Sequence, residues 1–323
     1  MRPASRVALA LLGIVCAGAH AQPAAQWPVK PIRMVVAVQP GGNLDLMGRA
    51  VAQKLTEGLN RPVVVENRPG ANTMIGAELV ARAVPDGYTI QMVAQSLLVA
   101  PLMMRNPQVD PTRDFTGVSL VATLPQMLVV HPSVPVKSVR ELIALAKAQP
   151  GALNCSTSGN GSGSHLALEL FKRQAGIQVA RIPYNGDAQA NIQLLGGQVS
   201  FKFDNLTTSM PHVASGRLRA IGVTTPTRTD LLPGVPAIAE TLPGFEASIW
   251  NGVVAPAATP PEIVARLHGE ILKFTQAPDI RGRFAQQGVE LHGTLPPEKF
   301  TAYLKSEYAR YGKLIREAGI IQE

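Results

Sequence analysis

The chain has 323 residues, 46% of them apolar and 16% charged, with a formal charge of +8. This composition excludes a disordered chain and leaves room for two domains of ordinary size. Lysines and arginines are scattered, no block of five basic residues occurs and aromatics make up 5%, so no nucleic-acid surface is expected.

Arg2 and Arg6 precede an apolar run over 7–19, and Ala19-His20-Ala21 follows as an A-x-A cleavage site. Residues 1–21 therefore read as a signal peptide cleaved after Ala21, with the periplasm as destination. The run is too short to span a membrane. Cys16 lies in it, but Gly13-Ile14-Val15 lacks the small residue usual just before a lipidated cysteine. Removing the leader, with two arginines and no acids, leaves +6. It also leaves Cys155 alone, so no internal disulfide can form and the fold must rest on its core.

Short apolar runs then alternate with helical patterns, which predicts an α/β protein with mostly parallel sheets. A strand over 32–38 leads through Pro40-Gly41-Gly42-Asn43 into a helix over 45–59, with Met47, Val51, Leu55 and Leu59 on one face. Asn43 is placed to cap this helix and Asp45 suits its first turn. A strand over 63–67, a helix over 75–84 ended by Pro85-Asp86-Gly87, and a strand over 89–94 complete the first unit. The apolar run 117–131, broken by Pro125, reads as a crossover into a second unit.

In that unit Ser138-Val-Arg-Glu141 is a capping box for a helix reaching 149. Next come a strand over 153–158, a glycine-rich loop, a helix over 165–175 and a strand over 180–184. A helix over 187–195 and a strand over 199–203 that delivers Asp204 follow. After a strand over 218–224 and a loop over 225–244, the run 247–255 reads as a second crossover. Helices over 261–275 and 296–319 close the chain, the latter with a packing stripe of Phe300, Leu304, Tyr308 and Tyr311. Two crossovers predict a discontinuous first domain (22–125 plus 252–323) and an inserted second domain (126–251), with a ligand cleft between them.

The loop Ser158-Gly-Asn-Gly-Ser-Gly-Ser-His165 carries the most chemistry. Glycines allow close backbone approach, and the amides at a helix start favour negative charge, so the loop is a candidate anion cradle. It lacks the last glycine of G-x-G-x-x-G and the lysine of a P-loop. G-x-S-x-G fails at both Ser162 and Ser164. A plain capped strand–helix loop is the bland alternative. Pro40-Gly41-Gly42-Asn43 occupies the matching place in the first unit, and two such turns facing one cleft would grip an acid from both sides. Asp45 is placed to hold a water or a ligand ammonium. The six histidines are spread along the chain and no H-x-x-x-H or C-x-x-C occurs, so no metal site is expected. Asp45, Asp187 and Asp204 are carboxylates at loop ends, but no catalytic set emerges. The chain reads as a binding protein without cofactor, not an enzyme.

Taken in order, these segments resemble the Bug-type receptors, the periplasmic solute-binding proteins of tripartite tricarboxylate transporters. The resemblance runs through Pro40-Gly-Gly-Asn-Leu-Asp45, Val63-Val-Val-Glu-Asn-Arg-Pro-Gly-Ala71 and Pro85-Asp-Gly-Tyr-Thr89. It continues through Ser158–Leu166, Pro183-Tyr-Asn-Gly186, Gly196-Gly-Gln-Val199, Phe203-Asp-Asn205 and Gly216-Arg-Leu-Arg-Ala220. It implies a Venus-flytrap fold of two α/β domains joined by two crossover strands, and a small organic acid or related amide as ligand. The partners it implies are membrane permease subunits, with a monomeric receptor. A periplasmic partner of a membrane sensor kinase is the alternative.

Carried over by position, one side of the carboxylate grip is Gly41, Gly42, Asn43 and Asp45. The other is Ser158, Gly159, Gly161, Ser162, Ser164 and His165, with Asp204 also lining the cleft. Gln95 and Ser96 are expected at the distal end of the ligand. There Gln95-Ser-Leu-Leu-Val-Ala-Pro101 replaces the family's usual hydroxyl-rich stretch, which leaves room for a more apolar or amide ligand.

Overall fold

A computed structural model describes residues 27–41, 43–159, 161–184, 187–286, 288–292, 295–317 and 319. The signal-peptide reading of 1–21 and the grip residue Gly42 lie outside these residues.

In chain order the first elements are β1 (Ile32–Val36), α1 (Asn43–Leu59), β2 (Val63–Asn67), α2 (Met74–Ala81), β3 (Thr89–Ala94) and α3 (Ser96–Leu102). β4 (Phe115–Leu124), β5 (Gln126–Val130), α4 (Val139–Ala148), β6 (Asn154–Thr157) and α5 (Gly163–Ala175) follow. Then come β7 (Ala180–Pro183), α6 (Asp187–Leu195), β8 (Phe201–Asn205), α7 (Leu206–Ala214) and β9 (Arg219–Val223). β10 (Ile249–Pro256), α8 (Pro261–Gln276), α9 (Pro278–Ala285), β11 (Glu290–Leu291) and α10 (Pro297–Glu317) end the chain.

The strands form two sheets. The first has the order β11-β4-β10-β3-β1-β2, the second β7-β6-β8-β5-β9. β1, β2 and β3 run parallel, and β10 runs antiparallel to both β3 and β4. Strand β1 is buried on both faces, as parallel strands covered by helices on each side must be. Pro125, which has no amide to donate, falls between β4 of one sheet and β5 of the other. The chain returns through β10, which begins at Ile249, inside the run 247–255 expected as the second crossover.

The first sheet and its helices form lobe 1, the second sheet and its helices lobe 2, and each lobe has a core on both faces of its sheet. In lobe 1, Met47, Val51 and Leu55 of α1 pack with Leu267 and Ile271 of α8 on one face. On the other, α3 and α10 contribute Leu98, Val99, Phe300, Leu304 and Tyr311. The expected stripe on α10 is thus core, with Tyr308 partly buried against it. In lobe 2, Phe171 meets Phe201, Phe203 and Phe245 edge-on, with centroids 5.7–6.5 Å apart. Leu166 of α5 belongs to the lobe-1 cluster, so α5 is packed against both lobes.

Several elements depart from expectation. α3 and α7 were not foreseen, since Pro101 and Pro211 lie within them and proline normally ends a helix. The strand expected over 199–203 starts two residues later, because pairing of Gln126 with Asn205 and Val130 with Phe201 fixes its register. The capping box is displaced: Ser138 Oγ accepts the Glu141 amide, but the Glu141 carboxylate takes the amide of Lys137 instead of Ser138.

Candidate ligand-binding site

The carboxyl ends of β1 and β6 each deliver a glycine turn and a helix start. β1 is hydrogen-bonded to β3. The residue after β3, Gln95, stands against Gly163, the first residue of α5: a methyl group on Gly163 would lie 3.2 Å from Gln95 Nε2. The turn before α5 therefore lies at the seam where the lobes meet, and the turn before α1 stands at the carboxyl end of a strand in the same sheet as β3, the usual ligand position in α/β sheets.

In the first turn Gly41 has φ +89°, a conformation glycine adopts without strain. Asp45 Oδ2 accepts the Gly41 amide at 2.9 Å and Arg49 Nε at 3.0 Å, while Oδ1 accepts Asn67 Nδ2 at 2.8 Å. Asn67 also donates to the Val38 carbonyl at 3.1 Å, so the carboxylate ties the turn to the ends of β1 and β2. Burial opposes ionisation of Asp45, but its bonds with Arg49, Gly41 and Asn67 outweigh it and hold the carboxyl below the ordinary aspartate value. Asp45, expected to hold a water or ammonium, is spent on the turn itself, and so is the Gly41 amide. Helix α1 already includes Asn43, which is exposed in its first turn.

In the second turn Gly159 and Gly161 have φ +125° and +68°. Ser162 caps α5, its Oγ accepting the His165 amide at 3.3 Å and donating to the Gly159 carbonyl at 2.9 Å. Ser164 Oγ accepts the Ser158 amide and lies 3.1 Å from both Ser158 Oγ and Ser162 Oγ. His165 Nδ1 accepts the Gly161 amide at 3.1 Å. Burial, with Arg181 and Lys172 nearby, pushes the His165 pKa down to about 4, so the ring is neutral at pH 7. The serines and the histidine thus hold the loop's shape. The first-turn amides of Gly163 and Ser164 remain without an intrahelical acceptor.

The loop glycines also serve the seam. A methyl group at Gly161 would meet Met103 Sδ at 2.7 Å and Val99 Cγ1 at 3.2 Å, both from lobe 1. At Gly163 it would meet Ile249 at 2.9 Å. Gln95 consequently sits beside the glycine loop that precedes α5. Ser96 begins α3 next to it, half-buried.

Asp204 lies within β8 and is 1% exposed. Its Oδ1 accepts Lys202 Nζ at 2.6 Å, and its Oδ2 accepts Thr208 Oγ1 at 2.9 Å and Ser209 Oγ at 2.5 Å. Lys202 also donates to Asp187 Oδ1 at 2.8 Å and Asn191 Oδ1 at 2.6 Å. The expected cleft residue Asp204 is thus committed to a buried ionic cluster that fastens α6 and α7 to β8. Lys202 was missed, although residues two apart on a strand share a face, so Lys202 and Asp204 were legible as a pair.

Two α/β lobes, connected twice through their sheets and meeting at the glycine turn before α5, define a periplasmic solute-binding protein. The profile of the tripartite tricarboxylate transporter family receptor matches residues 47–320, and the chain belongs to that family. It is 37% identical over 308 residues to a UPF0065 protein encoded between tcbD and tcbE in Pseudomonas sp. strain P51, covering 95% of this chain and 91% of that one. It is 36% identical to protein BugT of Bordetella pertussis, covering 96% and 97%. Among solved structures, R. palustris Rpa4515 with adipate is 35% identical with a TM-score of 0.77, covering 91% of this chain and 99% of that one. MatC from Rhodopseudomonas palustris with bound malate is 27% identical with a TM-score of 0.73, covering 90% and 100%. The chain is accordingly a solute-binding transport receptor and not an enzyme.

Proposed function

We propose that this receptor captures a small organic acid or related amide at the seam between the turns before α1 and α5, and presents it to the permease subunits of a tripartite transporter. The observation that carries this reading is the start of α5, where first-turn amides free of intrahelical partners meet lobe 1. Arg49 is bound to Asp45 and Asn67 and His165 is neutral, whereas Arg181, near His165, has its Nη1 buried without a hydrogen-bond partner among the described residues. Amide dipoles then neutralise the carboxylate. Relatives solved with adipate and malate support a small carboxylate as the ligand class.

The ligand-facing set is Asn43, Gln95, Ser96, Ser158, Gly159, Gly163 and Ser164, with Gly42 from the sequence. Asp45, Gly161, Ser162, His165 and Lys202–Asp204 support them. The mature receptor begins at Gln22 and acts as a monomer in the periplasm, and residues 126–251 form the inserted domain. Closure follows because the acid binds the closed lobes better than the open ones. Isothermal calorimetry of residues 22–323 against mono-, di- and tricarboxylates, amino acids and nicotinate-like acids tests the reading. Saturable binding of at least one carboxylate is expected. Folded protein that binds none of them refutes it.

A further inference from the structure

Three buried oxygens at one edge of lobe 2 have no hydrogen-bond partner among the described residues: Gln126 Oε1, Asn205 Oδ1 and Thr157 Oγ1. Gln126 opens β5, Asn205 ends β8 and Thr157 ends β6, on strands that are neighbours in the order β6-β8-β5. Gln126 is paired directly with Asn205, so the two side chains leave the same face of the sheet about 5 Å apart. That face is the one under α5. Leu128, Phe203 and Cys155, each two residues from one of the three, share a core with Leu168 and Phe171 of α5. The edge they occupy is turned to lobe 1. The residue after Thr157 begins the glycine turn, and a methyl group on Gly288 of lobe 1 would lie 2.8 Å from Leu206, the residue after Asn205.

Buried carboxamide oxygens are normally paired, and they only accept, so this edge calls for N–H donors. An ammonium is a poor match. Asp204, the carboxylate between Phe203 and Asn205, points to the opposite face and is bound by Lys202. Arg181, paired with Cys155 on the α5 face, already carries a buried guanidinium nitrogen without a partner. A charge buried there would meet neutral oxygens and a like charge, whereas a neutral amide loses nothing it does not regain. A primary carboxamide has two N–H donors, one for each of the paired oxygens. Neighbouring strands lie about 5 Å apart, so the pair stands about 5–10 Å across the sheet from the end of β6, the span of a short carbon chain.

We propose that Gln126 and Asn205 set the specificity of this receptor for a half-amide of a short dicarboxylic acid. Its carboxylate lies at the start of α5, and its carboxamide donates to Gln126 Oε1 and Asn205 Oδ1. This rests on the carboxylate reading above and adds the chemistry of the ligand's other end. A diacid of the same length brings only acceptors to these two oxygens, and its second carboxylate is repelled.

Calorimetry of the mature receptor with succinate, glutarate and adipate, each beside its half-amide, tests this. At least one half-amide is expected to bind roughly tenfold more tightly than its diacid, the worth of one or two buried neutral hydrogen bonds. Equal or tighter binding of every diacid overturns the proposal and leaves the carboxylate reading standing. Binding by none of the six refutes that reading, and the proposal with it.

Gln126→Met keeps the length of the side chain and removes its oxygen. The ratio of half-amide to diacid affinity should fall roughly tenfold in this variant, a readout that a general loss of stability does not move. Should it fail to fold, Asn205→Leu takes its place, since Asn205 precedes α7 without a side-chain capping bond that the change would remove. A ratio that stays at the parent's value in the variant measured overturns the proposal.

Discussion

The amide of Gly161 donates to Nδ1 of His165 at 3.1 Å, four residues further on and one turn into α5. That bond places the ring proton on Nε2 and holds the glycine loop at the φ of +68° that brings Gly161 against Met103. A histidine that sequence places in an anion grip is in the structure a neutral brace for the loop.

The brace predicts a pH dependence. The His165 pKa is lowered in the folded state, from an ordinary value near 6.5 to about 4, so the unfolded chain binds the extra proton first. Its stabilising contribution is complete above pH 6.5 and lost as pH falls towards 4, by at most about 3 kcal/mol. Melting temperature should fall over this window. His165→Asn, whose Oδ1 can accept from Gly161, should flatten that slope, and an unaltered slope would assign the effect elsewhere.

Gly161 is expected to tolerate alanine poorly. The left-handed φ and the approach to Met103 Sδ at 2.7 Å together should cost about 1–2 kcal/mol. Because a thioether yields readily, Met103→Ala should recover part of the loss. Urea unfolding of the double-mutant cycle should give a coupling of about 0.5–1 kcal/mol, and strict additivity would disprove the contact.

Asp45→Asn removes the charge from a carboxylate that takes three hydrogen bonds, at the cost of about 1–3 kcal/mol. The folded pKa of Asp45 is lowered. Its contribution is therefore present above the ordinary aspartate pKa near 3.8 and fades as pH drops through the folded value. The difference in melting temperature between parent and variant should be large at pH 7 and shrink at pH 3. A constant difference would mean that the charge is immaterial.

Lys202→Met strands the buried Asp204 carboxylate at a site where the ammonium is fully buried. A loss of about 3–5 kcal/mol in chemical denaturation is expected. The triple replacement Lys202→Met, Asp204→Asn, Asp187→Asn should regain most of it. A single variant as stable as the parent would show that the cluster holds nothing together.

Much of the fold was legible because its parallel strands are short apolar runs and its long helices carry clear stripes, as in Met47, Val51 and Leu55. The two crossovers followed from the length of the apolar runs around Pro125 and Trp250. Helices α3 and α7 were hidden by internal prolines, whose cost tertiary packing offsets. At the site, sequence located both glycine turns but not the division of labour within them. Gly41, Asp45, His165 and Asp204 look like ligand groups in a string of letters, and only their bonds to Asp45, Asn67, Gly161 and Lys202 show that they are occupied. The partners of Gly161 and Gly163 come from residues 95–103 and 249. No local spacing reveals a contact between segments so distant in the chain.

The most direct test is a crystal structure of residues 22–323 with the tightest-binding acid of the calorimetric panel. The account predicts one ligand carboxylate at the start of α5, within hydrogen-bond distance of the Gly163 and Ser164 amides and of Gln95 Nε2, with the turn before α1 on its other side. A ligand whose carboxylate lies away from α5 would contradict it.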